Sequence, residues 1–278
     1  MKAAIRVGIG GWTFAPWRGT FYPKDLPQKD ELAYASRVLT SIEINGTYYR
    51  TQSAESFARW YDETPEDFVF AVKGPRFATT RKILAEAEAS IARFFSSGVM
   101  NLKEKLGPIN WQLPPTKRYD ATDFEAFLKL LPKTVEGRPV RHAVEVRHNS
   151  FRNQEFIEVL RSYQTGAVFA DNDRFPQIPD VTSSFVYARL QRSSKEEESG
   201  YPAQALDLWA QRAFTWSQGR IPAHLEGISN PEEKPPRDLF IYFIDGFKPR
   251  APAAALALIE RLGKRPPRSS RLSQARLV

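Results

Sequence analysis

What most constrains this chain is a regular alternation of short apolar runs with amphipathic stretches. Runs rich in β-branched and aromatic residues recur at 5–10, 40–45, 68–73, 108–113, 143–147, 167–171, 185–190 and 239–244. Their length of five or six residues suits strands rather than helices. Most of the gaps carry a helical face. Leu32, Ala35, Val38 and Leu39 share one within 31–39. Ser53 reads as the N-cap of a helix that turns Phe57, Trp60 and Tyr61 inward. Ile91, Phe94 and Phe95 mark a helix over 86–96, and Thr122 with Glu125 reads as a capping box. Further helices are predicted over 153–163, capped by Asn153, and over 203–218 and 252–262, which run into Gly219 and Gly263. Strands alternating with helices imply parallel βαβ units, and eight of them fit a closed (β/α)8 barrel of the TIM type. An open doubly wound sheet is the alternative. The stretch 173–184 has no periodic face and is expected to be irregular.

Residues 1–263 therefore read as one barrel domain. The remainder, 264–278, holds Lys264, Arg265, Arg268, Arg271 and Arg276 without an acid and is broken by Pro266 and Pro267. It is expected to be a disordered basic tail, and it supplies five of the eight net positive charges. The positive charge is thus weak evidence for nucleic acid. With no cysteine among the 278 residues, disulfides, thiolate metal sites and a cysteine nucleophile are excluded. No HExxH, Walker A or GxSxG pattern occurs. Gly8, Gly10 and Gly11 resemble a dinucleotide fingerprint, but Thr13 stands where its last glycine is needed. No metal or cofactor is expected. The N-terminus lacks a secretory pattern and no apolar run approaches a membrane span, which predicts a soluble, cytoplasmic protein without membrane partners.

Polar residues at the ends of apolar strands point to function. Alternation puts Glu43 and Asn45 on one face of their strand. It likewise groups Val69, Ala71 and Lys73; Asn110 and Gln112; Glu145 and Arg147; Ala167, Phe169 and Asp171; and Tyr187 and Arg189. In a barrel these sets point inward near the C-terminal rim, where catalytic residues of this architecture sit. The acids Glu43, Glu145 and Asp171 then face the cations Lys73, Arg147 and Arg189. One reading is a structural ion-pair network that closes the barrel. The other is a site for a small polar or anionic ligand, with a carboxylate as general acid or base.

Several blocks resemble the YecE-like family, also called domain of unknown function 72, over roughly residues 5–260. They are Ile9-Gly-Gly-Trp12 with Trp17 to Pro23, Glu43 to Tyr49, and Phe70-Ala-Val-Lys73 with Pro75. Leu106 to Pro115, Glu145-Val-Arg-His148 and Tyr187-Ala-Arg-Leu190 complete the set. The resemblance implies a TIM-type barrel and an enzyme whose activity is not established. Two positions depart from the family pattern. Gln191 replaces a histidine in an Arg-Leu-His-Gly turn, and Ile244-Asp245 replaces an Asn-Asn pair.

Together these readings select Glu43, Glu145 and Asp171 as catalytic candidates. Trp12, Asn45, Tyr48, Lys73, Gln112, Arg147, His148, Arg189, Tyr242 and Asp245 are the candidate binding residues. Hydrolase- or lyase-like chemistry on an anionic ligand is the first function considered. Glycosidase chemistry is disfavoured, because Gln112 and Arg189 stand where the large barrel glycosidases carry carboxylates. A non-catalytic binding barrel is one alternative. A nucleic-acid-binding protein is another, with Trp12, Phe14, Trp17, Tyr48 and Tyr49 stacking bases. The oligomeric state is open.

Overall fold

A computed structural model describes residues 3–229 and 235–263, so the basic tail lies outside the described residues. Eight parallel strands close into a barrel: β1 (Ile5–Gly10), β2 (Ser41–Ile44), β3 (Val69–Lys73), β4 (Leu106–Gln112), β5 (His142–Glu145), β6 (Gly166–Asp171), β7 (Phe185–Leu190) and β8 (Asp238–Phe243). Each pairs with its sequence neighbour, and β8 pairs with β1 through Ile5↔Leu239 to Ile9↔Phe243. The helices outside are α1 (Glu31–Val38), α2 (Ala54–Glu63), α3 (Glu88–Ser96), α4 (Ala121–Leu130), α5 (Gln154–Ser162), α6 (Ala203–Ser217) and α7 (Ala251–Arg261). As expected, no helix forms between β6 and β7. Among the described residues no helix is long and apolar enough to cross a membrane.

Local chemistry sets the helix starts. Ser53 and Asn153 accept bonds from the backbone N–H groups of Ser56 and Phe156, as their sequence context implies. The capping box at Thr122 does not form. Asp120 caps α4 instead, accepting from Asp123 N at 2.9 Å, because its carboxylate is the stronger acceptor and starts the helix two residues earlier. A small antiparallel ladder, Thr134–Val135 with Arg138–Pro139, carries the chain from α4 into β5.

Two apolar layers result from the period of two. Val7, Ile9, Ile42, Ile44, Phe70, Val72, Ile109, Trp111, Val144 and Phe169 face the helices, among the aromatic side chains Trp17, Phe57, Phe127 and Trp216. Each fully buried aromatic there is worth roughly 1.5–3 kcal/mol of transfer free energy. A separate cluster fills the barrel: Val69, Ala71, Ala143, Val168, Phe185, Tyr187, Phe240 and Tyr242. His142, which the sequence left without a role, is structural. It accepts from Trp111 Nε1 at 3.1 Å through Nδ1 and donates through Nε2 to Pro132 O at 2.8 Å. Burial pushes it down to about 4, so it stays neutral.

At Gly8, β1 runs against β2 with no room for a side chain. A Cβ on Gly8 would lie 1.8 Å from the carbonyl oxygen of Ser41. Gly8→Ala should therefore cost about 3 kcal/mol, the upper end of an overpacking penalty. Urea denaturation checks this, and a loss under about 1 kcal/mol would mean that β1 can move away from β2 at little cost.

Candidate active site

Strand ends and alternation carry six polar side chains into the barrel mouth. β2 supplies Glu43, β3 Lys73 and β4 Gln112; Glu145 ends β5, Arg147 follows it, and β7 contributes Arg189. Glu43 and Glu145 are fully buried, and Lys73, Gln112 and Arg189 nearly so, while Arg147 keeps 20% of its side-chain surface exposed.

Arg189 spans the barrel. Its Nη2 donates to Glu43 Oε1 at 3.1 Å, and its Nη1 donates to Glu145 Oε2 and to Gln112 Oε1. Tyr187, two residues earlier on the same face, donates its hydroxyl to Glu43 Oε2 at 2.5 Å. Glu145 also accepts from Arg147 Nε at 2.9 Å and from Asn110 Nδ2 at 3.4 Å. Both carboxylates are therefore committed to holding guanidinium groups in place. Burial opposes the charge on Glu145, but Arg189, Arg147 and Lys73 outweigh it and pull its carboxyl down to about 2.

All three cations meet at one neutral oxygen. Gln112 Oε1 accepts from Lys73 Nζ at 2.7 Å, from Arg147 Nη2 at 2.8 Å and from Arg189 Nη1 at 3.2 Å. Lys73 differs from the two arginines in having no carboxylate within ion-pair distance among the described residues. Its ammonium lies 4.0 Å from the centre of the Tyr48 ring. Burial, with the repulsion of Arg189, outweighs the pull of the two glutamates and brings Lys73 down to about 7. At a value near 7 such a lysine is unprotonated in part of the molecules at neutral pH, the form that general bases and nucleophiles require.

The other candidates are scattered. Asp171 does not join the cluster, because the alternation of β6 has the opposite phase: Ala167 and Phe169 face the helices while Val168 faces the interior. Asp171 pairs instead with Arg192 at 2.8 Å. Asn45 lies half-buried at the rim, where a Cβ on Gly10 would come within 2.6 Å of its amide nitrogen. Tyr242 sits inside the barrel and shares a 2.7 Å hydrogen bond with Ser41 Oγ. His148 caps the turn that follows β5, accepting from Ser150 N at 3.1 Å. Asp245 is 54% exposed and pairs with Arg174. Trp12 packs edge-on to Trp60 on α2, with ring centres 5.1 Å apart. Trp17 is buried beside Phe14, its indole N–H donating to Lys248 O. The aromatics of the first loop are thus largely consumed by packing rather than free to stack bases. Gln191, at the position of the missing histidine, is buried, and its Nε2 has no hydrogen-bond partner among the described residues.

Three residues near the cluster were not selected as candidates. Tyr187 and Asn110 lie on the inward faces that alternation identifies, so the signal was present. Phe175, whose ring lies 4.6 Å from the Arg147 guanidinium, belongs to the irregular stretch after β6 and had none. Among the described residues no group of three or more His, Asp or Glu side chains is placed to hold a metal ion.

Residues 6–276 match the family described as "Protein of unknown function DUF72". A curated relative, the UPF0759 protein YunF of Bacillus subtilis strain 168, is 27% identical over 165 residues, which cover 57% of this chain and 56% of that protein. The match therefore spans little more than half of YunF. A DUF72 family protein of Thermotoga maritima superposes with a TM-score of 0.72 at 23% identity, over 94% of this chain and all of the other. One from Enterococcus faecalis V583 gives 0.68 at 18% identity, over 93% and 95%. At these identities the likeness speaks for the fold alone.

Proposed function

The chain belongs to the DUF72 family, and from the geometry of its barrel mouth we propose that it is an acid–base enzyme acting on a small anionic substrate. One observation carries the reading: three basic groups converge on the single neutral oxygen of Gln112, and among the described residues Lys73 has no carboxylate within ion-pair distance. Both arginines of the network are paired with carboxylates, whereas Lys73 is met only by the Gln112 oxygen and the Tyr48 ring, and an unpaired buried charge costs several kcal/mol. Here three basic groups face two acids, and Lys73, the one left without a carboxylate, is the one that burial disposes to give up its proton.

Arg147, the most exposed of the three, receives the anionic group of the substrate, and Gln112 orients it. Lys73 in its unprotonated form takes a proton from the substrate. Arg147 and Arg189 stabilise the negative charge that develops, as guanidinium groups held ready in a dry site do. Glu43 and Glu145 act as positioning residues that fix the guanidinium planes. The chemistry is thus lyase-like, or hydrolase-like with Lys73 activating water, and the base is the lysine rather than either glutamate.

Binding of an anion to the folded state alone raises stability by RT ln(1 + [L]/Kd), about 2.7 kcal/mol at a hundredfold excess over Kd. Phosphate, sulfate and small dicarboxylates are therefore expected to raise the thermal midpoint, and Arg147→Ala to abolish the rise. NMR of small oxoacids in deuterated water should show deuterium entering beside the carbonyl, with a rate that increases through pH 7. No anion effect and no exchange across the panel would retire the proposal.

A further inference from the structure

A second cleft, of about 680 Å³, lies beside the barrel mouth between α3 and the segments that follow β2 and β3. Arg50, Arg81 and Arg93 line it together with Tyr49 and Phe77, and none of its lining residues is acidic. Among the described residues, none of the three arginines has a carboxylate within 4 Å. Arg81 donates from Nη2 to Ser90 Oγ at 3.2 Å, while its buried Nε has no hydrogen-bond partner among the described residues. Tyr49 and Phe77, 63% and 59% exposed, are the two most exposed large apolar side chains of the described residues, and both border this one cleft.

These features ask for one ligand with two parts. Three unpaired guanidinium groups repel one another unless an anion lies among them, and their forked donors match phosphate oxygens. Exposed aromatic rings beside such a group offer a flat apolar face to a planar ring. The volume falls within the usual range for organic ligands, roughly 300–1,000 Å³, and far exceeds what inorganic phosphate fills. We propose that this cleft binds a nucleotide, with its phosphate on Arg50, Arg81 and Arg93 and its base against Phe77. The source is either a free nucleotide or the phosphorylated end of a single strand. The cleft adjoins the barrel mouth: Thr47, one of its lining residues, donates to Lys73 O at 2.6 Å, and the Tyr49 ring packs edge-on against Tyr48 at 5.1 Å. The proposal stands independently of the enzymatic reading.

Calorimetric titration of the full chain carrying Arg147→Ala, which removes the anion binding proposed for the barrel mouth, with AMP, adenosine, inorganic phosphate and a 5′-phosphorylated single-stranded octanucleotide tests it. AMP is expected to bind at least tenfold more tightly than adenosine or phosphate. On that background Arg81→Met and Phe77→Ala should each weaken AMP at least tenfold. Phe77 is exposed, so its variant keeps the fold even if Arg81→Met does not. An octanucleotide that binds tighter than AMP with a steeper salt dependence identifies a strand end as the ligand; equal or weaker binding identifies the free nucleotide. AMP binding no tighter than phosphate, or unaffected by Phe77→Ala, would overturn the proposal.

Discussion

Glu145→Gln is expected to lower folding stability by about 3–5 kcal/mol, the usual cost of breaking a buried ion pair from one side. Glu145 is fully buried and holds two guanidinium groups, and Arg189 at 3% exposure has no solvent to turn to. A glutamine keeps the shape but offers one acceptor oxygen in place of two, and it turns its NH2 group toward a cation. Arg189 would then keep Glu43 as its one anionic partner. The pH dependence has a definite sign. The Glu145 carboxyl is held at about 2, below its ordinary value of about 4.3, so its stabilisation is complete above the unfolded value and is lost as pH falls from about 5 through 2. Urea midpoints should therefore separate the two proteins widely at pH 7 and progressively less below pH 4. A difference under about 1 kcal/mol at pH 7 would show that the guanidinium groups do not depend on this carboxylate.

The same network shows what the sequence reveals and where its signal stops. Polar residues at every second position of apolar strands stand out in β2, β3, β4, β5 and β7, so Glu43, Lys73, Gln112, Glu145 and Arg189 were legible as one inward set. β6 gave no such contrast. Ala167 and Phe169 on one face and Val168 and Ala170 on the other are all apolar and buried, so Asp171 alone could not fix the phase. Its side chain lies toward Arg192, whose two donors reach Asp171 and Asp173. The meeting of three cations at Gln112 depends on lateral order in the closed barrel. Arg189 from β7 reaches across to β4, β5 and β2, a distance relation that no linear spacing encodes. The short helical turn at Gly46–Tyr49, which carries Tyr48 beneath Lys73, was equally illegible. It is tied down by the tertiary bond from Thr47 Oγ1 to Lys73 O rather than by a local pattern. The sequence also could not separate a structural from a functional acid. Once assembled, the two glutamates prove to be bonded at both oxygens, which is why the proposed mechanism gives the proton transfer to the lysine.

Lys73→Met should have the opposite effect on stability and the largest effect on chemistry. The methionine fills nearly the same volume without a charge, and it leaves Arg147 and Arg189 with Gln112 and both glutamates. Lys73 sits at about 7 in the folded protein against an ordinary value near 10.5. Below pH 7 it is charged in both folded and unfolded states, so the cost of burying the charge is borne in full. Between pH 7 and 10.5 the unfolded chain binds more protons than the folded one, and stability rises with pH as that cost is relieved. The variant should therefore be more stable than the parent at pH 6, by about 3–5 kcal/mol on the size of the shift, and the gap should close by pH 10. Turnover should fall by about 10²–10⁴, the usual contribution of a positioned acid or base. Anion-induced stabilisation should persist, because Arg147 is untouched. The titration can be read directly from the carbon-13 shift of the lysine ε-carbon, with a midpoint near pH 7 that vanishes in the variant. A midpoint near 10 would mean that Lys73 stays charged under working conditions, and the role of base would have to leave it. Stability and activity thus move in opposite directions at this one residue, and in a network built only to close the barrel, losing Lys73 would leave no chemistry to lose.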